Sequence, residues 1–185
     1  EPIADNGTVT LGSSGDTFTV PSGVTVNMSS ATQTGVGGVM TPAFEAYLGS
    51  TQNVTDNVDT KLQFDTEVFD TDGCYDNSTN YRFTPTTAGK YFCYLLTQAN
   101  GGSASSINTA RSYIYKNGSS LKRNLISFQN YPGEVATLII TTTINFNGTS
   151  DYIEAYGRID NTSGTASFHS PELRSTFGAY KLIGV

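Results

Sequence analysis

The chain has 185 residues and a formal net charge of −6, and only 14% of its residues are charged. This length predicts one ordinary domain of about 150 residues plus a further segment of roughly 40 residues. No apolar run approaches the ~18 residues of a membrane span, and the lack of Lys/Arg clusters argues against nucleic acid as a partner. The 11 Tyr and 10 Phe are too many large apolar groups for a disordered chain. With 27 Thr and few helix formers, the composition predicts an all-β protein.

Residues 1–42 differ in composition from the rest of the chain. They are rich in Gly, Ser and Thr, contain one aromatic residue, Phe18, and carry their apolar residues in short alternating bursts. Between two bursts, Pro21-Ser22-Gly23 predicts a tight turn, because Pro fixes φ and Gly accepts a positive φ. Bursts this short cannot bury an apolar face alone. We therefore expect residues 1–42 to form an arm or attachment segment and residues 43–185 to form the domain.

Strand patterns are dense from Ala43 onward. In 43–48 one face carries Phe44, Ala46 and Leu48, and the run 136–146 alternates an apolar face with a half-polar one that includes Ile139. The run 91–96 is apolar on both faces, which predicts a strand covered from both sides. Further strands are predicted at 61–64, 80–84, 111–116, 121–128, 151–159, 165–169 and 176–183. Turn signals such as Asn117-Gly118 and Asn147-Gly148 separate them, and nine or ten short strands at this spacing predict a jelly-roll β-sandwich.

A specific spacing of aromatic residues lies between residues 64 and 91. It consists of Phe64, Asp70, Tyr75, Phe83 and Gly89-Lys90-Tyr91. This pattern resembles the signature of the C1q/TNF-like jelly roll, and the resemblance covers roughly residues 43–185. Two departures are a Tyr75–Phe83 gap one residue longer than usual, and Cys93 and Leu95 at positions where the family usually has aromatic residues.

The resemblance implies a homotrimer in which one sheet of each subunit packs around a threefold axis. That packing would supply the second cover for the strand at 91–96. The residues expected at the trimer interface are Phe92, Tyr94, Leu96 and Ile139. The alternative is a monomer in which a loop covers the same face.

The segment from Gly15 to Gly23 resembles those that precede knob domains in bacteriophage fibre and decoration proteins. It implies a structural protein on the surface of a bacteriophage virion, joined to other virion proteins through residues 1–42. Two roles remain open, a capsid decoration or head fibre and a tail-fibre tip that binds the host surface. The alternative is a secreted C1q-like lectin or pattern-recognition module that binds carbohydrate.

Two pairs of residues at predicted loop tips are candidate glycan contacts. They are Asn130 with Tyr131 and Asp151 with Tyr152, because an aromatic face can stack on a sugar while a polar neighbour forms hydrogen bonds. The alternative is that these tyrosines rim the core or the trimer interface.

An acidic segment, 65–76, is predicted to be a loop. Its Asp65, Asp70 and Asp72 offer hard oxygen ligands that could hold Ca²⁺, although the spacing is not that of an EF-hand. We expect a solvated loop with Asx turns instead, and no cofactor.

Neither the histidine nor the cysteines form a recognisable reactive motif. His169 stands without a nucleophile-elbow pattern, so we expect no enzyme. Cys74 and Cys93 have no CxxC spacing and no neighbouring His, which makes a zinc site improbable. They are either two free thiols, with Cys93 in a strand and Cys74 in a loop, or one disulfide.

Overall fold

The computed structural model describes residues 15, 17, 19–25, 40–128, 130–170 and 174–183. These residues form thirteen strands and no helix, so none of them belongs to a helix able to cross a membrane. The strands are β1 Ala43–Tyr47, β2 Gln52–Asn53, β3 Thr60–Lys61, β4 Thr66–Asp70, β5 Tyr75–Asp76, β6 Arg82–Phe83, β7 Gly89–Asn100, β8 Ile107–Lys116, β9 Ser119–Ser127, β10 Val135–Phe146, β11 Ile153–Asn161, β12 Ser167–Phe168 and β13 Thr176–Lys181.

The strands form two antiparallel sheets. The first sheet has the order β2-β12-β7-β13-β1-β4, and β10 pairs with β7. The second has the order β5-β6-β11-β8-β9, and β3 pairs with β11. Each sheet turns one face to the shared core and the other outward. This is the predicted all-β jelly-roll sandwich.

The spaced aromatic residues form the centre of that core. The rings of Phe83 and Tyr75 each stack on Phe44, with centroids 4.5 and 4.4 Å away. Tyr75 also donates a hydrogen bond of 2.9 Å to the carbonyl of Phe64, and burial raises the pKa of its phenol. Tyr91 closes the cluster from β7, 5.9 Å from Phe83. The predicted spacing therefore brings side chains from both sheets into one cluster.

The long Tyr75–Phe83 gap is accommodated by a turn built around Asp76. Its carboxylate accepts hydrogen bonds from the backbone N–H groups of Ser78, Thr79 and Asn80. These bonds, led by the one from Thr79, hold the pKa of Asp76 well below its usual range. Tyr81 completes the turn with a φ of 49°.

The prediction that 65–76 is a loop throughout was wrong. Residues 66–70 form β4, which pairs with β1. The sequence of this edge strand has no alternation of buried and exposed residues that would predict it, because Glu67, Val68 and Phe69 are all exposed. The expected Asx turn does follow it, since Asp70 accepts hydrogen bonds from the backbone N–H groups of Asp72 and Tyr75.

The strand at 91–96 has the two faces that its sequence predicts. Tyr91, Cys93 and Leu95 are completely buried in the core, whereas Phe92, Tyr94 and Leu96 point outward and are half-buried.

The free-thiol interpretation of the cysteines is also confirmed, with Cys74 between β4 and β5 and Cys93 within β7. Burial raises the pKa of the Cys93 thiol to about 12, which makes it a poor nucleophile.

Two turns predicted from Gly-containing dipeptides and tripeptides are confirmed. In the N-terminal region, the Val24 N–H donates a 3.2 Å hydrogen bond to the Pro21 carbonyl, and Gly23 has a φ of 85°. In the domain, Asn117-Gly118 joins β8 to β9 with φ values of 51° and 77°, which suit a two-residue hairpin turn.

The chain divides into two units, Glu1–Val36 and Gly37–Val185. Most of residues 1–42 lie outside the described residues, so their role as an arm stays a prediction.

Candidate functional site

The outward side of the first sheet carries a continuous group of large side chains. Strands β1, β7, β10 and β13 place them side by side, because alternate residues of neighbouring strands share one face. We call this group the apolar face, and it consists of Tyr47, Phe92, Tyr94, Leu96, Ile139 and Tyr180.

The register of the strands brings the four predicted interface residues together. Ile139 of β10 lies directly opposite Leu96 of β7. On the same strand, the ring of Phe92 lies 6.4 Å from that of Tyr94, and Tyr180 of β13 lies 5.4 Å from Phe92. The four residues are therefore neighbours on one face of the sheet, and their role at an interface stays a prediction.

Two members of the apolar face, and a third aromatic residue beside it, were not predicted. Tyr47 and Tyr180 lie on β1 and β13, next to the predicted residues, and Phe69 of β4 lies opposite Glu45 at the edge of the sheet. Alternation within 43–48 and 176–183 could have placed Tyr47 and Tyr180 on the outward face. Phe69 could not be found this way, because its segment was interpreted as a loop.

A hydrogen bond between Tyr94 and Glu45 crosses the middle of the apolar face. Gly178 lies between them in the register, opposite Glu45 on one side and Tyr94 on the other. A Cβ at residue 178 would lie 2.3 Å from the Tyr94 ring and hydroxyl, so only Gly leaves space for the tyrosine to reach across. The Tyr94 hydroxyl donates to a Glu45 carboxylate oxygen. Burial, with help from this bond, raises the pKa of Tyr94.

The apolar face is incompletely covered in the single chain. Ile139 is 59% exposed and its neighbours on β7 are half-buried, whereas the core residues behind them are completely buried. An exposed side chain of this kind gains about 1.5–3 kcal/mol when it is fully removed from water, and a half-buried one gains less. A contiguous apolar group on a sheet is typical of a protein–protein contact.

The outward side of the second sheet has a different composition. We call it the charged face, and it consists of Lys61, Thr109, Arg111, Tyr113, Tyr115, Arg123, Glu154, Tyr156, Arg158 and Asp160. Tyr115 stacks on Tyr156 with centroids 4.1 Å apart, and Lys61 forms a 2.5 Å ion pair with the buried Glu154. Arg158 donates to the Asn57 side-chain oxygen and lies 3.7 Å from Asp59.

The two candidate glycan pairs lie at opposite ends of the sandwich. Asn130 and Tyr131 precede β10, whereas Asp151 and Tyr152 follow it, and its twelve residues span about 40 Å. Tyr131 is 86% exposed and its side chain is free to contact a ligand. Asp151 and Tyr152 are occupied, since Asp151 pairs with Lys116 at 2.8 Å and Arg82 lies over the Tyr152 ring at 4.6 Å.

The three candidate calcium ligands do not converge. Asp65 accepts hydrogen bonds from Gly49 and Thr66, Asp70 accepts from its own turn, and Asp72 accepts from Thr71. Across the described ranges, the structure contains no group of three or more His, Cys, Asp or Glu residues suited to a metal ion.

His169 follows β12 and lies beside Arg174, whose guanidinium is 3.4 Å from the imidazole Nδ1. Partial burial, with the charge of Arg174, lowers the pKa of His169. A cation in this place does not orient an imidazole as the carboxylate of a catalytic triad does.

Comparison with known proteins relates the chain to solved structures. No protein-family model and no curated protein sequence matches it. The globular domain of zebrafish complement 1qA protein is 12% identical with a TM-score of 0.54, and the match covers 76% of this chain and 97% of that one. Murine APRIL at pH 8.0 is 12% identical with a TM-score of 0.55, over 76% of this chain and 98% of that one. Eiger TNF from S. frugiperda is 13% identical with a TM-score of 0.51, over 76% and 90%. At these identities the likeness concerns the fold, and the chain has a C1q/TNF-like jelly-roll fold.

Proposed function

We propose that this chain is a structural protein of a bacteriophage virion surface, and that residues 43–185 form a homotrimeric knob through the apolar face. The observation that carries the homotrimer is that face, with Phe92, Tyr94, Leu96 and Ile139 gathered on one side of the first sheet and incompletely covered. The knob is non-enzymatic in this proposal, and it either decorates the capsid or forms the tip of a tail fibre.

The chemistry of the apolar face suits burial against a second copy. Glu45, the charged side chain near its centre, is already bonded to the Tyr94 hydroxyl. On β10, Ile139 is flanked by the uncharged Thr137 and Thr141, which require little desolvation compared with charged side chains. Burial of this face therefore removes apolar area from water, and the Glu45 carboxylate keeps the Tyr94 hydroxyl as a hydrogen-bond donor when it loses contact with water.

A single-tryptophan experiment tests this packing, because the chain has no Trp of its own. In Phe92→Trp, we expect blue-shifted emission at high protein concentration and a red shift upon dilution, as the indole moves from a contact into water. In Leu121→Trp, on the outward side of β9, emission should remain solvent-like at every concentration. A Phe92→Trp spectrum that does not change with dilution and matches that of Leu121→Trp would contradict the proposal.

The virion role is supported by the resemblance of residues 15–23 to segments that precede phage knob domains. An all-β domain with few charges and many Thr, Ser and Asn residues is also in keeping with an exposed virion part. The test is to purify particles of the phage that encodes the chain and search them by mass spectrometry and electron microscopy. Symmetric knobs that disappear when the gene is deleted support the role, and particles that lack the chain contradict it.

A secreted carbohydrate-binding module is the second candidate, favoured by the exposed Tyr131 beside Asn130. In that case Tyr131→Ala should abolish binding of the isolated protein to a glycan array, whereas Tyr152→Ala should not. If wild type and Tyr131→Ala give the same array signal, this second candidate is wrong.

A further inference from the structure

Two polar atoms on β8 are buried and have no hydrogen-bond partner. They are the Thr109 hydroxyl oxygen and the Arg111 Nε, and both residues point to the charged face. Thr109 is only 9% exposed although its side chain faces outward. A buried polar group without a partner is unfavourable, so two such groups on adjacent outward positions point to a ligand that would bind to them.

The same place carries an unusual juxtaposition of like charges. Arg111 of β8 lies directly opposite Arg158 of β11. Residues paired in this way have Cβ atoms about 4.5–5.5 Å apart, where two cations repel each other. Asn57 and Asp59 compensate Arg158, but no carboxylate among the described residues forms an ion pair with Arg111.

The surroundings of Arg111 add a third cation and an aromatic platform. On the next pair of outward positions, Arg123 of β9 lies opposite Tyr113 of β8, which in turn lies opposite Tyr156. Neither Arg123 nor Arg111 forms an ion pair within the described part of the chain, although the protein as a whole has a net charge of −6. The three arginines outnumber the carboxylates of the same outward positions, which are Glu154, paired with Lys61, and Asp160, directly opposite Thr109.

We propose that Thr109, Arg111 and Arg123 bind the oxyanion group, carboxylate or sulfate, of an acidic saccharide. A guanidinium binds such groups through two parallel hydrogen bonds, which an isolated lysine cannot reproduce. Near the arginines, Tyr115 stacks on Tyr156 with one side of its ring, and Lys61 lies over the Tyr156 ring. The Tyr115 ring is therefore the aromatic surface that could stack on a sugar ring. The site lies within one chain and on the opposite side of the sandwich from the apolar face, so it does not depend on the proposed trimer.

The test is calorimetric titration of the full chain with three oligosaccharides of equal length: a uronic-acid polymer, a sulfated polymer and a neutral glucose polymer. We expect the wild type to bind at least one acidic probe and not the neutral one. Arg111→Gln should weaken binding about tenfold or more, because the bidentate contact is lost. Lys122→Gln also removes one positive charge, but from the side of β9 that faces away from the charged face. It should change the affinity by less than about twofold.

Thr109→Val separates binding from folding. It removes a hydroxyl that has no partner in the protein, so the melting temperature should stay the same or rise while affinity for the acidic probe falls. Binding of the sulfated probe alone, with this dependence on the variants, identifies the oxyanion as sulfate. Failure of the wild type to bind either acidic probe, or equal losses in Arg111→Gln and Lys122→Gln, would overturn the proposal. A wild-type chain that binds an acidic probe but is monomeric in solution would contradict only the proposed assembly.

Discussion

The two outward faces of this sandwich are built by the same strand alternation but carry opposite chemistry. On the first sheet, Phe92, Tyr94 and Leu96 form a half-buried apolar surface whose central carboxylate is bonded to a tyrosine. On the second sheet, tyrosines stack among arginines, and charges such as Lys61 and Glu154 are paired across strands. The first face is apolar like the core but is incompletely covered. The second face is polar, and it includes a donor without a partner, the Arg111 Nε.

This contrast bears on the proposal that another copy of the chain covers one of the two faces. Ion pairs and exposed arginines remain favourable in water, and desolvating them is costly. Apolar side chains gain free energy when they leave water. We therefore infer that the first sheet turns inward in an assembly and the second sheet outward.

The largest effect is expected from a charge placed on the apolar face. Ile139→Glu should convert a trimer into monomers, because a carboxylate at this position would be buried without a partner. Leu121→Glu is the matched control, since Leu121 is 45% exposed and Ile139 59% exposed, both on strands. Size-exclusion chromatography with light scattering should give the monomer mass for the first variant and the wild-type mass for the second. Identical elution profiles for the two variants would contradict the inference that assembly depends on the apolar face and not on the outward side of β9.

Removal of the buried ion pair tests the charged face. Lys61→Met leaves Glu154, whose side chain is 6% exposed, without its partner. The free energy of unfolding should fall by about 2–3 kcal/mol, somewhat less than for a fully buried pair because Lys61 is partly exposed. Urea denaturation measures this change, and Lys122→Met should change it by less than about 0.5 kcal/mol. Equal values for the two variants would mean that the pair contributes nothing.

A smaller effect is expected at Gly178, where Tyr94 crosses to Glu45. Gly178→Ala places a Cβ 2.3 Å from the tyrosine and 2.9 Å from the Phe44 carbonyl oxygen, so the ring must move. We expect a loss of about 1–2 kcal/mol in the free energy of unfolding, together with weaker assembly. Thermal denaturation and dilution experiments measure both. Tyr94→Phe provides the control, because it removes the hydrogen bond but leaves the ring in place. An unchanged free energy of unfolding in Gly178→Ala would contradict the role given to the glycine.

The smallest effect lies far from both faces, in the turn around Asp76. Asp76→Asn should cost at most about 1 kcal/mol at neutral pH, because an amide replaces one accepting oxygen with a donor. Since the pKa of Asp76 is held below its usual value of 3.8, the wild-type advantage is complete above that value and disappears as the pH falls through the lower folded-state pKa. Denaturation curves recorded from pH 7 to pH 2 check this, and a constant difference between wild type and variant would contradict it.

Local pattern was enough to predict the sandwich and part of the apolar face. Alternation assigned Cys93 and Leu95 to the core, and the aromatic spacing identified Phe83, because both signals reside within short stretches of the chain. The charged face could not be predicted, since Arg111 and Arg158 are far apart in the sequence and meet only through the β8–β11 register. Strand β4 was missed because an exposed edge strand has no buried side to reveal it.

The most direct test of the distinction between the two outward faces is the mass of the assembly in solution. Sedimentation equilibrium of the 185-residue chain should give about three times its monomer mass of 19.7 kDa, with dissociation only upon strong dilution. A mass of 19.7 kDa at every concentration would contradict the inference that the apolar face is covered by further copies of the same chain.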